Sequence, residues 1–151
     1  MNGLPRKTIF IDRNSGGRTF RNLITDAGIN VVLHDEQFPP RTEDHVWLKK
    51  IGALGWAMVT GDVAVGRSFL FLSALRRSRA HVFVLCELNH LSPEGRASLI
   101  INEYAQILRL CHAHNGPCLW KAKPGSALIQ FDFKHSLGLL RRQMKTGDVR
   151  M

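Results

Sequence analysis

The sequence predicts an α/β protein, a three-layer α/β/α sandwich around a central, mainly parallel sheet. Short apolar runs alternate with amphipathic stretches at helical spacing, the order that a parallel sheet with crossover helices requires. The run from Trp56 to Val59 is almost wholly apolar, as a strand buried on both faces should be. Three runs finish on acids: Thr8-Ile9-Phe10-Ile11-Asp12, Val31-Val32-Leu33-His34-Asp35-Glu36 and Trp56-Ala57-Met58-Val59-Thr60-Gly61-Asp62. Parallel strands end on one side of a sheet, so these acids are expected at the crevice where such folds bind ligands.

After the first run, residues 17–27 place Phe20, Leu23, Ile24 and Ala27 at helical spacing, with Gly28 at the C-cap position. The second strand covers 30–33, and residues 34–42 form a loop punctuated by Pro39-Pro40. Thr42 or Glu43 caps a helix carrying Trp47, Leu48, Ile51 and Leu54 until Gly55 stops it. A helix over 68–78 packs through Phe69, Leu72 and Leu75, and 80–86 is a fourth strand. Ser92-Pro93-Glu94 opens a longer helix, since proline is tolerated at the first helical position. In the tail, 118–123 and 127–133 read as strands separated by Pro124-Gly125-Ser126, a hairpin or an edge addition, and 137–144 as a short basic helix. Right-handed crossovers put the helices on both faces of the sheet.

With 151 residues and 44% hydrophobic composition, the chain fits one domain over 1–151 with an ordinary core. No run of 18 apolar residues and no signal-peptide h-region occurs, so the expected location is cytoplasmic, without membrane contact. Cys86, Cys111 and Cys118 are odd in number and lack CxxC spacing, which argues for buried, reduced thiols. His112 and His114 near Cys111 and Cys118 do not have a familiar zinc-ligand spacing. The net charge of +9 is uneven: residues 1–62 carry +1 and residues 63–151 carry +8. The basic half suits a polyanion such as nucleic acid, or an acidic protein.

The acids in the first half are the local exception. Carboxylates gathered at one crevice repel unless a cation sits between them, and Mg²⁺ or Mn²⁺ prefers such oxygens. Each acid also has a plainer explanation. Asp12 precedes a helix that it could cap, and Asp44 falls in a helical first turn, where the dipole favours negative charge. Asp62 follows Gly61 in what could be a simple turn. Asp35 and Glu36 are adjacent and, if extended, point to opposite faces, so only one of them faces the crevice. The Thr60 hydroxyl can orient a carboxylate or a phosphate.

The order Ile9-Phe10-Ile11-Asp12-Arg13, then His34-Asp35-Glu36 with Phe38-Pro39-Pro40, then Asp44 with Trp47-Leu48, then Thr60-Gly61-Asp62, resembles the PIN-like domains related to the VapC toxins of toxin-antitoxin pairs. The resemblance covers about residues 7–86 and leaves 87–151 as a C-terminal helix with further strands. It implies an acidic pocket holding Mg²⁺ or Mn²⁺ and a metal-dependent endoribonuclease with an RNA substrate. A cognate antitoxin partner and a homodimer are implied as well. On that resemblance Asp12, Asp44 and Asp62 are metal ligands and catalytic acids, with Asp35 or Glu36 as the fourth: Asp35 completes the shell or Glu36 orients the attacking water. Arg13, Thr60 and Arg67 are then placed against substrate phosphates. The alternative is a non-catalytic PIN-like module that binds RNA or protein. A receiver-like phosphoacceptor domain also gathers strand-end aspartates, but it needs a separate acceptor aspartate on its third strand and a lysine after its fifth, and neither the order nor the spacing here supplies them.

Overall fold

In the computed structural model, which describes residues 3–123 and 125–147, six strands form one sheet in the order β2-β1-β3-β4-β5-β6. The strands are β1 Ile9–Ile11, β2 Val31–Leu33, β3 Ala57–Thr60, β4 His81–Leu85, β5 Cys118–Ala122 and β6 Ile129–Phe131. The first five are parallel; β6 alone runs antiparallel, against β5. The helices are α1 Arg18–Asp26, α2 His34–Gln37, α3 Asp44–Ala53, α4 Phe69–Arg76, α5 Pro93–Ala113 and α6 Phe133–Lys145, with a 3₁₀ turn at Val63–Arg67. No described helix is long and apolar enough to cross a membrane.

Side-chain alternation divides the core into two layers. Ile9, Ile11, Ala57, Val59, Phe83 and Leu85 face α1 and α5. Phe10, Met58, Val82, Val84 and Leu119 face α3, α4 and α6. A strand buried on both sides has no polar face to offer, which is why β3 and β4 read as continuous apolar runs. The chain leaves β1 toward β2, then crosses back to β3 on the other side. The reversal of strand order therefore lies between β1 and β3, and it opens a crevice beyond their carboxyl ends.

Most expected elements occur, and the differences have local causes. β2 stops at Leu33, and the residues taken as its acidic end turn into the short helix α2. The Glu36 carboxylate accepts from the Leu33 amide at 3.0 Å, while His34 is buried against Phe10, Phe38 and Trp47. Neither Thr42 nor Glu43 caps α3 through its side chain; Thr42 Oγ1 instead donates to the Pro39 carbonyl at 2.7 Å. The last strand is shorter than 127–133 because Asp132 caps α6, its Oδ1 accepting from the His135 amide at 3.1 Å. That cap starts the helix at Phe133, four residues before the expected Leu137. The turn before β6 includes Pro124, which lies outside the described residues.

A buried tyrosine fastens the entry to β1. Tyr104 Oη on α5 accepts from the Lys7 amide at 3.1 Å and donates to the Lys7 carbonyl at 2.9 Å. Tyr104→Phe leaves both backbone groups without a partner, so a stability loss of about 1–3 kcal/mol is expected. Urea unfolding of wild type and variant measures it; coincident midpoints would show that water replaces the hydroxyl.

Candidate active site

Four segments surround the crevice. Asp12 directly follows β1, and by strand alternation it lies on the Phe10 face, toward α3 and α4. Thr60 ends β3 on the face that carries Met58. Asp62 opens the 3₁₀ turn, and Asp44 is the first residue of α3. Asp12, Asp44 and Asp62 all line one open pocket of about 420 Å³, with Arg13, His34 and Trp47 also in its wall.

Two hydroxyls stand beside Asp12 and favour its charge. Thr60 Oγ1 accepts from the Asp62 amide at 3.0 Å, and Ser15 Oγ accepts from the Gly61 amide at 3.0 Å. Both hydroxyl protons are left for the Asp12 carboxylate, which they favour in its charged form. Burial works the other way and is the stronger effect, with the neighbouring Asp62 charge adding to it, so the Asp12 pKa is raised. Its Oδ1 is buried and has no hydrogen-bond donor. Asp44 is likewise raised by burial, against the Trp47 indole, which donates to it, and the nearby His34 and His45.

Gly61 is fixed by close approach. A Cβ there would lie 2.5 Å from Asn89 Oδ1 and 2.9 Å from the Asn89 amide. The turn that carries Thr60 and Asp62 thus packs directly on the segment after β4, and a side chain at 61 would displace both residues.

The plainer explanations are met unequally. Asp12 caps no helix: α1 begins at Gly17 without a side-chain cap. Asp62 does cap, since its Oδ1 accepts from the Ala64 amide at 3.0 Å and steadies the 3₁₀ turn. Asp44 sits in a helical first turn, where the dipole favours it, and faces the pocket as well.

Not every expected residue is brought there. Glu36 is exposed, and its carboxylate is taken by the Arg21 guanidinium at 2.9 Å and by the Leu33 amide. The helical turn of α2 carries it toward α1, outside the pocket wall. Asp35 lies nearer, in a smaller adjoining cavity shared with Asp12 and Arg13, and its Oδ1 is 3.2 Å from Arg13 Nε. Arg13 also donates to the Pro40 carbonyl at 2.8 Å, which fixes a cation at the pocket mouth. Thr60 is buried beneath Asp12, a position that orients the acid and leaves no room for direct contact with a phosphate. Arg67 is exposed at the end of the 3₁₀ turn, beyond the pocket lining.

Ser15 and Trp47 are site residues that sequence reading did not assign. Trp47 reads as core and is core, 5% exposed, yet it also lines the pocket and its side chain favours the Asp44 charge. Ser15 gives no signal of its own beyond lying three residues after Asp12.

The donor set suits a hard divalent cation: carboxylate oxygens from separate elements, one of them buried and undonated. Among the described residues no three His, Cys, Asp or Glu side chains stand close enough to enclose a metal ion by themselves. Mg²⁺ retains several waters and needs only one or two carboxylates, so the pocket fits such an ion without a closed cage.

The raised pKa values set a pH dependence. An acid whose folded pKa is raised binds more protons folded than unfolded, so stability falls as pH climbs from the ordinary carboxylate range through the raised value, and the full loss persists above it. In chelator, Asp12→Asn is expected to melt higher than wild type by a margin that widens between about pH 4 and pH 7. Mn²⁺ should narrow that margin at pH 7 by stabilising wild type. Thermal melts at the two pH values measure both effects, and a margin independent of pH would show that burial does not strain Asp12.

No curated protein and no solved structure matches the chain. A family model described as a PIN-like domain matches residues 8–87, the stretch from β1 through β4 that supplies every carboxylate in the pocket wall. Lys123 does follow the fifth strand, as a receiver would require, yet β3 carries no aspartate. More than half of the sequence thus matches one family over the segments that build the crevice, and the chain belongs to the PIN-like domain family.

Proposed function

We propose that this chain is a metal-dependent endoribonuclease that hydrolyses phosphodiester bonds in its acidic pocket, using Mg²⁺ or Mn²⁺. PIN-like domains are a nuclease-type fold, and PIN-domain nucleases typically use divalent metals. The observation that carries the reading is the meeting of Asp12, Asp44 and Asp62, from three separate elements, in one pocket at the switch point between β1 and β3.

Asp12 and Asp44 are the first ligands, because burial makes an unneutralised charge costly on both. Asp62 contributes the oxygen that its capping bond leaves available. Thr60 and Ser15 hold Asp12 in one orientation. Arg13 meets a substrate phosphate at the mouth, with Asp35 keeping its guanidinium in place. A bound cation would supply a more acidic attacking water and offset charge in the in-line displacement. The physiological role follows the resemblance to toxins: a cytoplasmic toxin component, neutralised by a cognate antitoxin and assembled as a homodimer.

Incubation with single-stranded RNA and Mn²⁺, with and without chelator, tests the reading. Chelator-sensitive cleavage supports it. The alternative is a module that binds RNA or protein without cutting. RNA binding without cleavage under every metal condition would establish that alternative. Growth arrest on expression, relieved by a neighbouring gene product, tests the toxin role.

A further inference from the structure

The residues beyond the family-matched stretch end in a helix of one charge sign. α6 carries Lys134, Arg141, Arg142 and Lys145 and contains no Asp or Glu. All four are exposed, and none belongs to an ion pair among the described residues. Buried Phe133 and Leu137, with half-buried Leu140, mark the face that packs on the core. At about 3.6 residues per turn, Lys134, Arg141 and Lys145 fall on one line along a single flank of that face, and Ser136 and Gln143 on the other.

The sheet fixes where this helix points. β6 runs from Ile129, opposite Lys121, to Phe131, opposite Leu119, so α6 starts at the end of the sheet away from the strand-end acids. It returns over thirteen residues, about 20 Å, packs on α4 and reaches the 3₁₀ turn Val63–Arg67. That turn lies at the crevice end and gives Ala64 and Val65 to the pocket wall. α6 therefore runs toward the crevice end of the sheet and touches the turn that ends in Arg67. Lys121 adds charge beside that turn: its Nζ lies 4.1 Å from the Phe131 ring centroid, and a Cβ on Gly66 would come within 2.7 Å of it.

The helix dipole explains cations in a last turn. It does not explain why, beyond the Asp132 cap, the helix itself carries four cations and no acid. A protein interface would want an apolar centre, and on α6 only Leu139 is a large exposed hydrophobic residue.

We propose that Arg67, Arg141, Arg142 and Lys145 form a phosphate-tracking rail that leads single-stranded RNA into the acidic pocket. The inference rests on RNA being what the pocket acts on. The rail also answers a local difficulty, since an RNA phosphate approaching three carboxylates needs cations beside its path.

The test is anisotropy of a fluorescein-labelled single-stranded RNA in chelator, so that binding is read apart from cleavage. Arg141→Gln/Arg142→Gln/Lys145→Gln should weaken binding about tenfold and lower the slope of log K against log salt by about two. A control triple, Arg18→Gln/Lys49→Gln/Lys50→Gln, removes the same charge from α1 and α3 and should change both far less. Equal losses in the two triples would reduce the effect to net charge and overturn the rail. Unchanged RNA affinity in the α6 triple, with loss of binding to a neutralising protein partner, would overturn it in favour of protein docking. Chelator-sensitive cleavage at wild-type rate in the α6 triple would sink the rail and leave the nuclease standing; rail-dependent binding without cleavage would do the reverse.

Discussion

Asp12→Asn is expected to lower chelator-sensitive RNA cleavage by about a thousandfold or more, the largest functional effect of any single substitution in the pocket. The change keeps the shape of the side chain and removes only its charge. Asp12 is the acid with a buried oxygen that has no hydrogen-bond partner, and burial penalises its charge, so a cation at that oxygen would offset what the surrounding structure does not. The Thr60 and Ser15 hydroxyl oxygens accept from the amides of Asp62 and Gly61, which leaves their protons free to favour the charge on this carboxylate. An amide in its place turns a donor toward a cation site. Because burial already penalises the charge, the variant should fold at least as well as wild type, which separates lost chemistry from lost structure. Single-turnover cleavage beside a thermal melt decides the matter. A stable variant that cleaves like wild type would move the reaction out of this pocket.

The largest expected effect on stability is at Gly116, between α5 and β5. A Cβ there would lie 2.1 Å from the Arg79 carbonyl oxygen and 2.7 Å from the Arg79 carbonyl carbon. Both are backbone atoms and cannot rotate aside. Arg79 leads into Ala80, whose carbonyl accepts from the Cys118 amide at 3.1 Å as β5 joins β4. Relief of the clash must open that junction or shift β4, a strand buried along its whole length. Gly116→Ala should cost about 3 kcal/mol or more and lower Tm by about 10 °C. Gly138→Ala is the matched control: a Cβ there meets nothing within 4 Å, and alanine is the better helix former. Melting of Gly116→Ala within about 2 °C of wild type would show that the loop yields freely.

The order of elements was legible because burial on both faces makes strands continuous apolar runs, while amphipathic helices keep their 3.6-residue period. Gly28 and Gly55, read as helix stops, both adopt positive φ, 85° and 73°. What could not be read depends on contacts between distant segments. The helical turn of His34–Gln37 is fixed by an aromatic cage around His34 and by Arg21 holding Glu36, and neither shows in the local pattern. That turn decided between the two adjacent acids, bringing Asp35 to the edge of the site and Glu36 to α1. Ser15 acquires its place only when the loop after β1 meets the loop after β3. The start of α6 was masked by a competing rule, since 127–133 alternates well enough to read as a strand while Asp132 is in fact a helix cap.

The pairing of β4 with β5 has a consequence for how the chain comes off the ribosome. The family-matched stretch ends with β4, whose outer edge finds its partner only after the twenty-one residues of α5 have been made. At typical synthesis rates that interval is on the order of seconds, far longer than a helix or a hairpin takes to form. Throughout it, His81-Val82-Phe83-Val84-Leu85 is a growing chain's most adhesive segment, an apolar edge open to any other strand. Pairing of β5 onto that edge, once α5 has been made, is therefore the step that protects the nascent protein from aggregation.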